Sequence, residues 1–186
     1  MHFLLPLAIL LYAALILWLA TGMLRNAGNP PPIPSSRAHR LQAAQWVRQH
    51  HILGPVIEIG SGWGGRWRAL AGPEMPYTGV ELLYPLYLLS RLLALGNPWV
   101  TFRWGDIRRF SLEPYQLVIG YLGRDLNRWV VEQPRTHGQY FISVIFELPQ
   151  GTPHVTLIES RVHWTGNIYL YLLHAQKPPS PPTAQV

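Results

Sequence analysis

Val56-Ile57-Glu58-Ile59-Gly60-Ser61-Gly62-Trp63-Gly64-Gly65 joins a short apolar run to a glycine-rich turn. Gly54-Pro55 breaks the chain just before it, and residues 56–59 then read as a buried strand. The glycines follow where that strand must end. They let the backbone turn tightly and approach a ligand with no Cβ in the way. A short helix is expected after the turn, running through Leu70. The unpaired N–H groups of its first turn would point into the same space as the glycines.

Working outward, strand and helix signals alternate. Upstream, Ser35 or Ser36 can cap a helix reaching about His51, with Leu41, Ala44 and Val47 on one face. Downstream, residues 77–82 read as a second strand. A helix with Pro85 at its start follows, carrying Leu88, Leu92 and Leu95 on one face until Gly96 stops it. Residues 100–104 and 117–121 are the third and fourth strands. Leu122, Leu126, Trp129 and Val130 make a helical stripe, Trp129 being expected in the core, and residues 140–147 a fifth strand. Residues 155–164 and 167–173 flank Thr165-Gly166 as a terminal antiparallel hairpin. Such alternation predicts an α/β fold, a mostly parallel sheet covered on both faces.

Composition narrows the chemistry. The 186 residues are 48% hydrophobic, enough for one domain with its own core. With no cysteine there is no disulfide, thiolate metal site or cysteine nucleophile. The eight histidines show no metal-ligand spacing, so no metal is expected. The net charge of +6 comes almost wholly from arginine, since Lys177 is the only lysine. These arginines form no block or stripe, which favours a basic face near anionic lipid over a nucleic-acid partner. Arg66 and Arg68 read as a solvated helix face.

Residues 3–24 contain no charge. A run of 22 exceeds the roughly 20 residues that cross a bilayer as a helix. A cleaved signal peptide would have a basic start and a shorter apolar core, so an uncleaved anchor is the preferred reading. Arg25, Arg37 and Arg40 follow the run and no Lys or Arg precedes it, which predicts a single pass with the domain on the cytoplasmic side. Residues 25–35 form a proline-rich linker, and residues 177–186 a disordered tail. The globular domain is expected over 36–176.

Two acids add to the glycine turn. Glu81 closes the second strand, where a carboxylate can accept hydrogen bonds from both hydroxyls of a ribose. Asp106 closes the third, in Trp104-Gly105-Asp106-Ile107, where it can accept one from an adenine amino group. Either acid could instead be an exposed loop charge or a helix cap. The turn itself fits both a dinucleotide fingerprint, through Gly60, Gly62 and Gly65, and the E-x-G-x-G-x-G motif of class I methyltransferases.

The ordered set is more specific. Pro34-Ser35-Ser36, the E-I-G-S-G-W-G turn, Gly79-Val80-Glu81-Leu82 and Gly105-Asp106 occur in sequence. Ser111-Leu112-Glu113-Pro114-Tyr115 and Ile168-Tyr169-Leu170-Tyr171-Leu172 complete the series. In this the chain resembles the class I methyltransferases similar to the ATP synthase c-subunit lysine methyltransferase. The resemblance spans residues 33–174. It implies a Rossmann-like seven-strand domain behind an N-terminal transmembrane helix, S-adenosyl-L-methionine as cofactor and lysine N-methylation of a membrane protein. It also implies a cofactor set of Glu58, Gly60, Ser61, Gly62, Trp63, Gly64, Glu81, Leu82, Asp106 and Ile107, with Glu58 facing the aminopropyl part. Tyr121, at the end of the fourth strand, is the candidate catalytic residue facing the substrate.

The departures are as informative. Trp63 stands where the family usually has an acid. Gly120-Tyr121-Leu122-Gly123-Arg124 lacks the Asn/Asp-Pro-Pro-Tyr signature, which argues against methylation of DNA amines. Other readings stay open: a lipid or quinone methyltransferase, a nicotinamide-dependent oxidoreductase, or a non-catalytic membrane scaffold in which Trp63 fills the pocket.

Overall fold

The computed structural model describes residues 36–176. The expected transmembrane helix (3–24), linker (25–35) and tail (177–186) lie outside the described residues. Among those described, no helix is long and apolar enough to cross a membrane.

Among the described residues, seven strands and four α-helices follow one another in the expected alternation. Helix α1 (Arg37–Gln49) leads into β1 (Val56–Ile59), a one-turn α2 (Trp67–Leu70) and β2 (Tyr77–Glu81). Helix α3 (Tyr84–Leu93), β3 (Val100–Trp104) and a 3-10 turn (Ile107–Arg109) come next. Then β4 (Leu117–Gly120), α4 (Arg124–Glu132), β5 (Gln139–Val144), β6 (Val155–Arg161) and β7 (Ile168–Leu173) complete the domain. The strands form one sheet in the order β3-β2-β1-β4-β5-β7-β6. Strands β1 to β5 are parallel, and β7 runs antiparallel to both β5 and β6. The hairpin expected from residues 155–173 is therefore present, and β6 points the same way as β1 to β5.

Alternation along the strands divides the core in two. Val56, Tyr77, Phe102, Leu117, Ile119 and Ile142 face α1, α2 and α3 on one side. Ile57, Ile59, Val80, Val118 and Phe141 face α4 on the other, where Val130 and Val131 are buried. Fully burying such a side chain stabilises by about 1.5–3 kcal/mol. Trp129 of α4 is only partly buried, packed against this second layer. Polar pins fix the helices. Ser36 caps α1 through its side chain, and Glu159 of β6 accepts hydrogen bonds from Trp46 (2.9 Å), Gln49 (2.7 Å) and His50 (2.7 Å). Arg135 donates to the carbonyls of Val130 (2.7 Å) and Val131 (2.9 Å), closing the C-terminus of α4.

Several expectations are corrected. Leu41 lies on the outer face of α1, 56% exposed, whereas Ala44 and Val47 are buried. Leu88, Leu92 and Leu95 share a face, but an exposed one. The inward positions of α3 belong to Tyr87, Ser90 and Ala94, spaced three and four apart. Because α3 covers β2 and the edge strand β3, no element among the described residues lies beyond it to bury the leucines. The expected helix after the glycine turn is a single turn, and the residue before it, Arg66, is buried rather than solvated.

Candidate functional site

The sheet order reverses at β1, which has β2 on one side and β4 on the other. Crossovers leave in opposite directions there, and open α/β sheets usually bind ligands beyond the carboxyl ends of the strands at such a point. The glycine turn occupies that place. Gly60, Gly62 and Gly64 have φ of 67°, 56° and 72°, a left-handed conformation that side chains resist. A Cβ built on Gly60 or Gly62 meets nothing within 4 Å, so the turn borders open space. Gly64 differs: its Cβ would strike Phe102 at 2.6 Å, so its smallness serves packing. Gly79 on β2 does the same, at 2.4 Å from Phe102.

Glu81 ties β2 to the turn. One carboxylate oxygen accepts the Gly62 N–H (2.7 Å), the other the Leu83 N–H (2.8 Å). Burial pushes its carboxyl above the usual range, while the backbone donors of Leu83 and Gly62 pull it back. Each oxygen keeps a lone pair beyond the bond it accepts. Ser61 carries a buried hydroxyl with no partner among the described residues, its side chain turned toward Gly79 of β2.

Glu58 sits under the turn. It is 2% exposed, and its carboxylate is held by the Arg66 guanidinium and the Tyr77 hydroxyl. Burial pushes it up to about 7 against the downward pull of Arg66. The structure thus gives Glu58 two side-chain partners that the sequence reading did not foresee. Arg66 looked like a surface charge because a helix was expected to include it. The helix begins only at Trp67, and Arg66 turns beneath β1 instead.

The remaining candidates divide. Leu82 (43% exposed) and Trp63 (47% exposed) are both open to solvent on the rim. Asp106 caps the 3-10 turn, accepting the Arg108 N–H at 3.0 Å, and Ile107 is buried in the α4-side core. Tyr121 follows β4 directly, half-buried with its ring edge-on to Phe146 at 6.4 Å, and burial raises its hydroxyl above the usual range. Behind it, Asn127 of α4 donates to Ser143 Oγ (3.0 Å), and Ser143 donates to the Phe146 carbonyl (2.6 Å). That buried relay fixes the loop opposite Tyr121. The only sign of it in the sequence is a polar residue inside an apolar strand, at Ser143. Among the described residues no cluster of three His, Asp or Glu side chains could hold a metal.

No known family profile matches the sequence, and no curated protein matches it. Solved structures do resemble the fold. An RNA methyltransferase from Salinibacter ruber, in complex with S-adenosyl-L-homocysteine, superposes with a TM-score of 0.61 at 19% identity, covering 79% of this chain and 97% of that one. A putative methyltransferase from Escherichia coli gives 0.61 at 15% identity, over 77% and 89% of the two chains. A putative caffeoyl-CoA O-methyltransferase from Staphylococcus aureus gives 0.59 at 10% identity, over 76% and 85%. The domain has the Rossmann-like fold of class I methyltransferases.

Proposed function

We propose that this chain is an S-adenosylmethionine-dependent methyltransferase tethered to a membrane. One observation carries the reading: Glu81, at the carboxyl end of β2, is bonded to the Gly62 N–H of a turn that borders open space at the sheet's reversal point. The methyltransferases that share the fold, one of them bound to S-adenosyl-L-homocysteine, support it. The β6–β7 hairpin speaks against a nicotinamide-dependent oxidoreductase, whose sheet normally ends on parallel strands.

The residues present fit the cofactor. Gly60 and Gly62 offer a Cβ-free wall, the turn around Ser61 its backbone, and Glu81 acceptors for ribose hydroxyls. Leu82 and Trp63 provide apolar surface beside them, and Asp106 and the Ile107 backbone the adenine end. Gly64 and Glu58 serve from behind, by packing and by holding Arg66. When bound, the sulfonium supplies the methyl group. The protein's part is then chiefly to hold acceptor and donor in line. Tyr121 faces the acceptor side from the end of β4. A lysine acceptor, with an unperturbed pKa of about 10.4, must first lose its proton to solvent or to a protein group.

For the acceptor we propose a lysine near the cytoplasmic surface of an integral membrane protein. Residues 25–35 would keep the domain within roughly 30 Å of a span formed by residues 3–24, which raises the effective concentration of membrane-embedded acceptors. The resemblance points to a rotor-ring subunit of ATP synthase, by analogy alone. The exposed Trp63, Leu82 and Trp104 on the rim favour a second reading, a lipid or quinone acceptor. Mass spectrometry of membranes from cells with and without the gene tests both. Loss of a methyl-lysine from a membrane protein is the expected result. Loss confined to lipids selects the second reading, and loss confined to soluble proteins contradicts both.

A further inference from the structure

The turn between β6 and β7 carries the most exposed apolar side chains described in this protein. Trp164 is 93% exposed and Val162 83%. An indole left bare on a hairpin tip gains nothing from the fold, whereas tryptophan is favoured at the boundary between headgroups and acyl chains. The position of the tip gives this meaning. Because β6 runs parallel to β5, its end at Arg161 lies on the carboxyl rim of the sheet, the rim that holds the glycine turn.

The tip is also joined to the start of the described chain. Thr165 Oγ1 donates to Ser36 Oγ at 3.0 Å, and the Gly166 carbonyl accepts from His39 Nε2 at 2.8 Å. His39 is buried against His163, and burial lowers its pKa, consistent with a neutral ring that donates from Nε2. The chain therefore enters the domain beside the hairpin tip. The uncharged run 3–24 lies only 11 residues before Ser36. Arg37 and Arg161, both exposed, flank the same place and match anionic headgroups in charge.

We propose that Val162 and Trp164 dock the domain into the interface of an anionic bilayer, so that the carboxyl rim, with the candidate site, faces the membrane. This rests on the tethering proposed above and adds to it an orientation. The exposed leucine face of α3, at the opposite edge of the sheet, would then lie away from the lipid.

The absence of cysteine makes the test direct, since one introduced thiol is a unique label. The full chain carrying Val162→Cys, Glu74→Cys or Leu95→Cys is labelled with an environment-sensitive fluorophore. It is then reconstituted in phosphatidylglycerol–phosphatidylcholine vesicles whose acyl chains are brominated. Glu74 precedes β2 at the opposite end of the sheet, and Leu95 follows α3; both are exposed. The Val162 probe should be strongly quenched, the Glu74 and Leu95 probes hardly at all, and Trp164→Ser should weaken quenching at Val162 with the circular dichroism unchanged. An unquenched Val162 probe on protein that still floats with vesicles overturns the orientation while leaving the tether intact. Equal quenching at Leu95, or shielding of Val162 that grows with protein concentration in the absence of lipid, overturns it in favour of the α3 face or a second copy. Failure to float overturns tether and orientation together.

Discussion

The two sides of the carboxyl rim are built on different principles. On one side, around β1 and β2, the backbone does the shaping. Three glycines hold positive φ, and one acid bonds an N–H of their turn. On the other side, around β4 and β5, ordinary side chains do it: Tyr121 against Phe146, and Asn127 through Ser143. A backbone device admits few residue types and leaves a pattern in the sequence. A side-chain device can be assembled from many combinations and leaves almost none.

The β1–β2 side is disturbed most strongly from beneath. In Arg66→Met the Glu58 carboxylate, 3% exposed at its side chain, loses its cation. Breaking a buried pair from one end costs about 3–5 kcal/mol, and urea unfolding at pH 8 should show a loss of that order. The loss should shrink at pH 5.5, where Glu58 escapes by taking a proton. Equal destabilisation at both values would mean that Arg66 acts through packing alone.

Glu81→Ala should leave the fold intact and weaken S-adenosyl-L-homocysteine binding by about 1.5–3 kcal/mol, the usual range for hydrogen bonds to a charged group. Unchanged affinity in the folded variant would remove Glu81 from the ribose role.

Glu58 also predicts a slope. It titrates near 7 when folded, against the ordinary value of 4.5. Between these values the folded state holds more protons than the unfolded one, so this contribution is present at pH 5 and is lost as pH rises through 7. The loss is on the order of 2 kcal/mol. Denaturant midpoints for Glu58→Gln should lack that part of the decline between pH 5 and 8, and an unaltered slope would place the titration elsewhere.

The smallest effect is expected at Asp106. Its carboxylate already caps the 3-10 turn, and asparagine caps about as well. Asp106→Asn should change S-adenosyl-L-homocysteine affinity by less than about 1 kcal/mol, the scale of one neutral hydrogen bond. A loss matching that of Glu81→Ala would show that Asp106 turns to the ligand on binding.

The same division explains what could be read from the sequence. The strands, the terminal hairpin and the glycine turn were legible because Val56-Ile57, the φ > 0 glycines and Thr165-Gly166 answer to local rules. Arg66 and the leucines of α3 were not. Whether a charge is buried depends on a partner across the fold, here Glu58 eight residues away on a neighbouring element. Whether Leu88, Leu92 and Leu95 are covered depends on α3 lying over the last strand of the sheet, a fact of topology absent from a helical period. Ser143 and Asn127 were missed for the same reason, since each becomes meaningful only beside the other.

Calorimetry of the purified 186-residue chain with S-adenosyl-L-homocysteine, S-adenosylmethionine and NAD decides whether this domain holds an adenosyl cofactor. Saturable one-to-one binding of both adenosyl ligands is expected, with no binding of NAD and a loss of affinity in Glu81→Ala. Binding of NAD alone, or of none of the three by a folded protein, would contradict it.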